Sequence, residues 1–305
     1  MLSDQQMAYY DAFGFLVFKG LFTPAEVGVI SAEADDILEE DMQGKPFEGK
    51  ARQAVLRFVE RRPFLSTMPG DDRIFEPIED LLGPGFMWIG GDGNRYVGDT
   101  QWHSDSTGND FEFDFDRIKV ALYLEPVAKD SGCLRVIPGS HRIHLHQQLE
   151  PLRHLRIAQR DVGGKTLSKE AQKKAGIEGA LDDAPFGVES SELPGFALES
   201  QPGDVVFFNH RLWHSSFGGS SGRRMFTLNF CERPKSEHDL GTLKENYASV
   251  LKLTKTPEDP EGSAYSQAFL ESDNLRIQSM MAVPKELGFN SPAPPPLGPG
   301  QPRRP

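Results

Sequence analysis

Cysteine is nearly missing from this 305-residue chain, which has only Cys133 and Cys231. They could form one disulfide at most, and they cannot supply the cysteine cluster that zinc or an iron–sulfur centre would need. Such a pattern suits a reducing cytoplasm. Long apolar runs are also missing. No stretch approaches the roughly 20 residues that span a bilayer, and the opening MLSDQQMAYYDAF has neither the basic nor the apolar region of an export signal. Basic charge is in deficit. Lys and Arg number 33 against 45 Asp and Glu, a net charge of -12, and a surface of that sign repels nucleic-acid backbones and anionic lipid. The expectation is a soluble, cytoplasmic protein that engages neither nucleic acid nor membrane.

Apolar material, by contrast, is ample: 38% of residues are hydrophobic and 10% aromatic. That is enough for one elaborated domain. Gly14-Phe15-Leu16-Val17-Phe18 reads as a short buried strand. Thr23-Pro24-Ala25-Glu26 then opens a helix, with Thr23 as cap, Pro24 at the first helical position and Glu26 closing a capping box. From Met87 onward short β-rich runs take over, at 117 to 124, 133 to 137, 204 to 208 and 224 to 230, separated by Gly, Pro, Asp and Ser turns. Their spacing predicts a sandwich or barrel of antiparallel strands. The expected organisation is a single domain over 1–290. It has an N-terminal helical layer (1–86), a β core (87–232) interrupted by a polar lid insertion (142–195), and a C-terminal helical extension (233–290). The Pro- and Gly-rich segment 291–305 reads as a disordered tail.

Within the β core, Asp99-Thr100-Gln101-Trp102-His103-Ser104-Asp105 sets an imidazole and a carboxylate two residues apart, on one face of an extended strand. A third ligand is offered by His214, at the end of the apolar run beginning Pro202-Gly203-Asp204. Two imidazoles and one carboxylate capping one side of an octahedron leave three adjacent positions open, an arrangement that suits Fe(II) and oxygen chemistry. About ten residues further on, Gly222-Arg223-Arg224-Met225 places a guanidinium at the head of a strand. Arginine suits the far carboxylate of an acid such as 2-oxoglutarate, which would chelate the metal through its keto oxygen and near carboxylate. The sequence leaves open which of Arg223 and Arg224 faces inward, because a slip of one residue exchanges them.

With these pieces in place, the chain resembles the phytanoyl-CoA dioxygenase family over roughly residues 7 to 232. The resemblance rests on GFLVFKGLFTPAEV, the WHSD pair, KDSGCLRVIPGSHR at 129 to 142, PGDVVFFNHRLWHSS and the following RRMFTLNF. It implies a mainly β fold with flanking helices, a double-stranded β-helix or jelly roll of the cupin-like kind. It further implies Fe(II) on His103, Asp105 and His214, 2-oxoglutarate anchored by Arg223 with Arg224 as competitor, and O2 as co-substrate. A carboxylate at position 105 implies hydroxylation rather than halogenation, with release of succinate and CO2. The expected substrate is a small-molecule metabolite. Against a coenzyme A ester stand the acidic balance and a C-terminus, PRRP, that is no peroxisomal address. The alternatives are a non-catalytic β-sandwich binding module and a cupin-like metalloenzyme that does not use 2-oxoglutarate.

Other candidates have plainer readings. His141 is expected to bond backbone, His144 and His146 to lie at the surface, and His210 to sit in a turn. Trp102 and Trp213, each one residue before a proposed ligand, should point away from the metal into packing. Lys119, Tyr123, Asn94 and Tyr96 line the pocket if strand parity turns them inward. Gly218 to Gly222 reads as a hairpin connection rather than a phosphate loop, since no Lys-Ser/Thr ending or helix follows it.

Overall fold

The strand β11 (Arg223–Cys231) alternates two kinds of side chain, and that alternation organises the molecule. Phe226, Leu228 and Phe230 face one way, into a large apolar core, while Met225 faces the other, into a second cluster. A computed structural model describes residues 1–106, 115–152, 184–255 and 262–289. In it β11 is paired along one side with β6 (Arg117–Tyr123). Its other side takes β4 (Asp92–Tyr96) on the first half and β3 (Met87–Gly90) on the second. The resulting seven-stranded antiparallel sheet runs β1-β9-β6-β11-β4-β2, with β3 beside β11. Its edges are β1 (Phe15–Phe18), paired to β9 (Val205–Asn209), and β2 (Gln53–Leu56), paired to β4. A four-stranded sheet, β5-β10-β7-β8, faces it, built from Thr100–His103, His214–Ser216, Leu134–Val136 and Phe196–Leu198.

Apolar layers lie on both faces of the large sheet. On its outer face Ile118, Val120, Leu122, Val205, Phe207 and Phe226 pack under α2 (Pro24–Asp41) and α3 (Asp72–Leu82), through Ile30, Ala34, Ile37, Ile74 and Ile78. The same layer receives α5 (Glu237–Thr254), α6 (Gln267–Leu270) and α7 (Leu275–Glu286), through Leu243, Phe269 and Met280. On the inner face Phe15, Ala121, Tyr123, Val206 and Phe208 meet Leu134, Val136 and Leu198 of the small sheet. Two remaining helices complete the set: α1 (Asp4–Phe13) and α4 (Ile143–Gln148). Gly14 ends α1 at φ +82, and an added Cβ there would meet the His141 ring at 2.5 Å, so only glycine fits.

The four β-rich runs and the strand after Gly14 all appear, within a residue or two of their expected bounds. The segment around β2 carried no readable strand signal: four residues with a half-polar burial pattern, set among helices, do not reach the length at which alternation becomes visible. Residues 153–183 of the expected lid and all of the expected tail lie outside the described residues. Among the described residues no helix is long and apolar enough to cross a membrane.

The start of α2 is tied to the start of α3. Glu26 accepts from the Thr23 backbone N–H at 2.8 Å and from Arg73 Nη2 at 2.8 Å, and the same Arg73 nitrogen reaches Asp71, the cap of α3, at 2.8 Å. The Arg73 hydrogen bond, then those from Thr23, hold the Glu26 carboxyl down to about 2 from an ordinary 4.5. A depressed carboxylate contributes stability above its ordinary pKa and loses it as pH falls through the folded value. The stability difference between wild type and Arg73→Met should therefore be full at neutral pH and shrink between about pH 4.5 and pH 2. Urea unfolding midpoints across that range measure it.

Candidate functional site

Strand β5 lies antiparallel to β10 with His103 directly opposite His214. Facing residues of such a pair have Cβ atoms about 5 Å apart, and here the two imidazole centroids stand 4.1 Å from each other. Asp105 follows just after β5 ends, in a bend rather than on the strand, and its backbone N–H donates to the His210 carbonyl at 2.9 Å. That bond pins the carboxylate beside the turn leading into β10. His214 Nε2 lies 3.6 Å from Asp105 Oδ2, and His103 Nε2 lies 4.0 Å from Oδ1. One ligand atom from each residue falls within 4.8 Å of the others, the one such group among the described residues.

Both rings are oriented in the same way. His103 Nδ1 donates to the Gln101 carbonyl and His214 Nδ1 to the Leu212 carbonyl, each at 2.8 Å. Because a carbonyl can only accept, Nδ1 of each ring carries a proton and Nε2 is the atom turned toward Asp105. Lys119 Nζ donates to Asp105 Oδ2 at 2.7 Å. Burial pushes the Asp105 carboxyl up, but Lys119, then His214 and His103, outweigh it and hold the group well below the ordinary carboxylate range. The centre thus presents two imidazole nitrogens and one ionised carboxylate on one side of a small space. Two ligands at right angles around an ion about 2.1 Å from each would stand about 3 Å apart, so modest inward movement closes the set on a divalent cation.

A cavity of about 490 Å³ adjoins this group. Parity decides what enters it. Lys119 and Tyr123 of β6, Tyr96 of β4, and Arg223, Met225 and Thr227 of β11 all line it. Arg224 takes the opposite face, where its Nε meets Glu125 at 2.5 Å and its Nη1 meets Asp35 at 2.6 Å. Arg223 is buried and donates through Nη2 to Ser216 Oγ at 3.0 Å, while its Nε and Nη1 are buried with no hydrogen-bond partner among the described residues. The nearby glycines make room for it. A Cβ on Gly219 would fall 1.7 Å from Arg223 Nη1, and one on Gly132 would fall 2.3 Å away. The glycine run is therefore packing around a guanidinium.

Asn94 does not line this cavity. It is buried, accepting from Arg52 Nε at 2.8 Å and donating to Asp92 at 2.6 Å. His141 bonds backbone as expected, its Nε2 lying 3.1 Å from the Asp11 carbonyl oxygen, and His144 is exposed. His146 departs from expectation. The short helix α4 turns it inward, so it is fully buried with its ring 5.4 Å from that of Trp213 and its Nδ1 3.0 Å from the Ser140 carbonyl. Trp102 and Trp213 are both fully buried in a separate cluster with Leu152, Leu193 and Phe217, away from the Asp105 side. His210 does sit in a turn, yet it also faces a second cavity of about 310 Å³, which Asp105 and Lys119 border as well. The parity that the sequence left open, for Lys119 and between Arg223 and Arg224, is the one the strand alternation carries. Ile118, Val120 and Leu122 mark one face of β6, and Phe226, Leu228 and Phe230 mark the same face of β11, leaving the odd-numbered residues for the cavity.

The family model of phytanoyl-CoA dioxygenase matches residues 10–226. This chain belongs to the phytanoyl-CoA dioxygenase family. No curated protein matches it in sequence. Among solved structures it is similar to HygX from Streptomyces hygroscopicus with nickel and 2-oxoglutarate bound, at 17% identity and TM-score 0.54, covering 76% of this chain and 87% of that one. It is also similar to SnoK, a non-heme alpha ketoglutarate dependent carbocyclase from nogalamycin biosynthesis, at 18% identity and TM-score 0.51 (76% and 84% covered). EctD from S. alaskensis with bound Fe gives 20% identity and TM-score 0.51 (76% and 77% covered). At these identities the likeness establishes a shared jelly-roll fold with flanking helices. In this family member the helices α5 to α7 lie beyond the matched region.

The capacity of the His103, Asp105 and His214 group for a divalent ion is directly measurable. Mn2+ at a hundredfold excess over its dissociation constant should stabilise the fold by about 2.7 kcal/mol, seen as a raised melting temperature that a chelator reverses. His214→Ala should remove the shift.

Proposed function

We propose that this protein is an Fe(II)- and 2-oxoglutarate-dependent dioxygenase that hydroxylates a C–H bond of a small-molecule metabolite. His103, Asp105 and His214 would hold the iron, and Arg223 would anchor 2-oxoglutarate. The observation that carries this reading is a single cavity bordered by a two-histidine, one-carboxylate group and by a buried guanidinium, two of whose nitrogens find no hydrogen-bond partner among the described residues. A buried, unsatisfied cationic donor is costly, and a planar fork of this kind matches a carboxylate. The donor set fits iron in number and type: two imidazole nitrogens and one ionised carboxylate, with room left for further ligands. Family membership supports the reading, as do the nickel and 2-oxoglutarate of HygX and the iron of EctD.

Bound there, iron with 2-oxoglutarate and O2 would supply the oxidation of a C–H bond, with release of succinate and CO2. The chain's own residues have separate tasks. The Gln101 and Leu212 carbonyls hold both rings in the binding tautomer. Lys119 keeps Asp105 ionised and directed while no cation is near. Ser216 accepts from Arg223 and donates to the Gly132 carbonyl at 2.9 Å, so the guanidinium is braced at a fixed angle to the cavity. Leu134, Phe208 and Met225 surround the same space with hydrocarbon, which strengthens the Arg223 pairing by excluding water.

Under anaerobic conditions, Fe(II) plus 2-oxoglutarate should give the weak visible metal-to-ligand band of this enzyme class, and Asp105→Ala should lose both the band and succinate formation. Arg223→Leu should raise the KM for 2-oxoglutarate about 10- to 100-fold, the worth of a lost charged hydrogen-bond pair, while Arg224→Leu changes it less than about threefold. A well-folded protein with no band, or equal effects of the two arginine variants, would overturn the proposal.

A further inference from the structure

The second cavity, of about 310 Å³, lies on the far side of Asp105 and Lys119 from the Arg223 end. Its walls differ in kind from those of the first. Met87 and Ile89 of β3 face Leu243, Tyr247 and Val250 of α5, with Tyr265 closing one end. Most of that wall belongs to residues 243–289, beyond the stretch that matches the family model. The floor is polar. Asn229 stands on the inward side of β11, and its Nδ2 donates to the Gly90 carbonyl at 3.1 Å and to Thr227 Oγ1 at 3.3 Å. That fixes the amide, and its Oδ1 is buried with no hydrogen-bond partner among the described residues. Beside it, His210 is 7% exposed. Its backbone N–H donates to the Arg117 carbonyl at 3.0 Å and its carbonyl accepts from Asp105, while its Nε2 is likewise buried with no partner among the described residues.

Two fixed polar atoms left unsatisfied in one apolar chamber, bordered by the carboxylate of the proposed iron group, are a recognition pattern. Each costs about 1–3 kcal/mol when left unmet, and a ligand that supplies the missing partner recovers it. Resting on the iron and 2-oxoglutarate reading above, we propose that this chamber is the primary-substrate site. Its substrate is a compact molecule with a hydrocarbon body and at least one O–H or N–H donor. Asn229 Oδ1 accepts from that donor, His210 Nε2 contacts the same polar end, and the α5 wall packs on the apolar body. The volume stands at the low end for small-molecule sites, so the enclosed part is a compact metabolite and not a nucleotide-bearing thioester. Specificity is then set by a helix outside the jelly roll together with the inward face of one strand.

Indole and benzothiophene test this, because the two bicycles share a shape and only indole carries an N–H. Calorimetric titration of the whole protein without metal or 2-oxoglutarate should show indole binding at least about fivefold more tightly than benzothiophene, the worth of about one hydrogen bond. Asn229→Leu should bring the two probes level. Val250→Trp, which fills the chamber from α5, should weaken indole at least about tenfold. Leu253→Trp, at a 72% exposed position on the same wall, should act in the same direction with folding not at stake. Equal affinity of the probes in wild type, absence of binding, or indole affinity indifferent to both tryptophan variants overturns the chamber. Since the titration contains neither iron nor 2-oxoglutarate, failure here in a protein that gives the visible band removes this inference alone. Intact indole discrimination without the band removes the iron reading instead.

Discussion

The pairing of β5 with β10 is the constraint on which the rest of the site depends. It sets two imidazoles from distant parts of the chain face to face, and a slip of one residue in either strand would send an imidazole to the other side of the sheet and bring an indole in its place. The two tryptophans guard against this. Trp102 Nε1 donates to the Ser190 carbonyl at 2.7 Å, the Trp213 backbone N–H to Ser140 Oγ at 2.8 Å, and its Nε1 to the His146 carbonyl at 3.3 Å. Both indoles are locked in one shared apolar cluster by directional bonds as well as by area. Exchange with the histidines would leave those donors unmet and bury imidazoles in hydrocarbon, at a cost of several kcal/mol.

A second division of labour runs along β11. Arg223 and Arg224 are neighbours in sequence and opposites in use. One is buried on the cavity side, and the other joins the sheet to α2 and to the end of β6 through Asp35 and Glu125. The pleat separates them by a sheet's thickness, so a charge that organises the scaffold and a charge available to a ligand occur side by side without competing. Lys119 and Asp105 show the same economy in the interior, each cancelling the other's desolvation across 2.7 Å.

Much of this was legible in the residues. The capping box at Thr23, the β-rich runs, the His-x-Asp pair and its distant histidine follow from local chemistry and from motif spacing. The choice between the two arginines was legible too, in the apolar alternation of Phe226, Leu228 and Phe230, but only once that face is known to be the one covered by helices. Other features had no local signal. Asp105 owes its position to a backbone bond from the turn at His210, and the strand Gln53–Leu56 to an edge that waits for it on β4. His146 owes its burial to the turn of α4 against Trp213. His210 was readable as a turn residue, yet its side-chain environment depends on α5, whose packing partners no sequence period names.

The edge strand β1 carries a consequence for how the molecule is made. Among the described residues Phe15 to Phe18 pair with Val205 to Phe208 alone, and both faces of β1 are needed, one for each apolar layer. During synthesis at about 5–20 residues per second, the N-terminal strand therefore waits some 10–40 s for its mate to leave the ribosome. The helix that follows it, self-capped at both Thr23 and Glu26, can form at once. The order of assembly is thus local helices first and sheet closure last, which leaves strand β10 with His214, joined to β9 by a short turn, among the last parts to reach its final place.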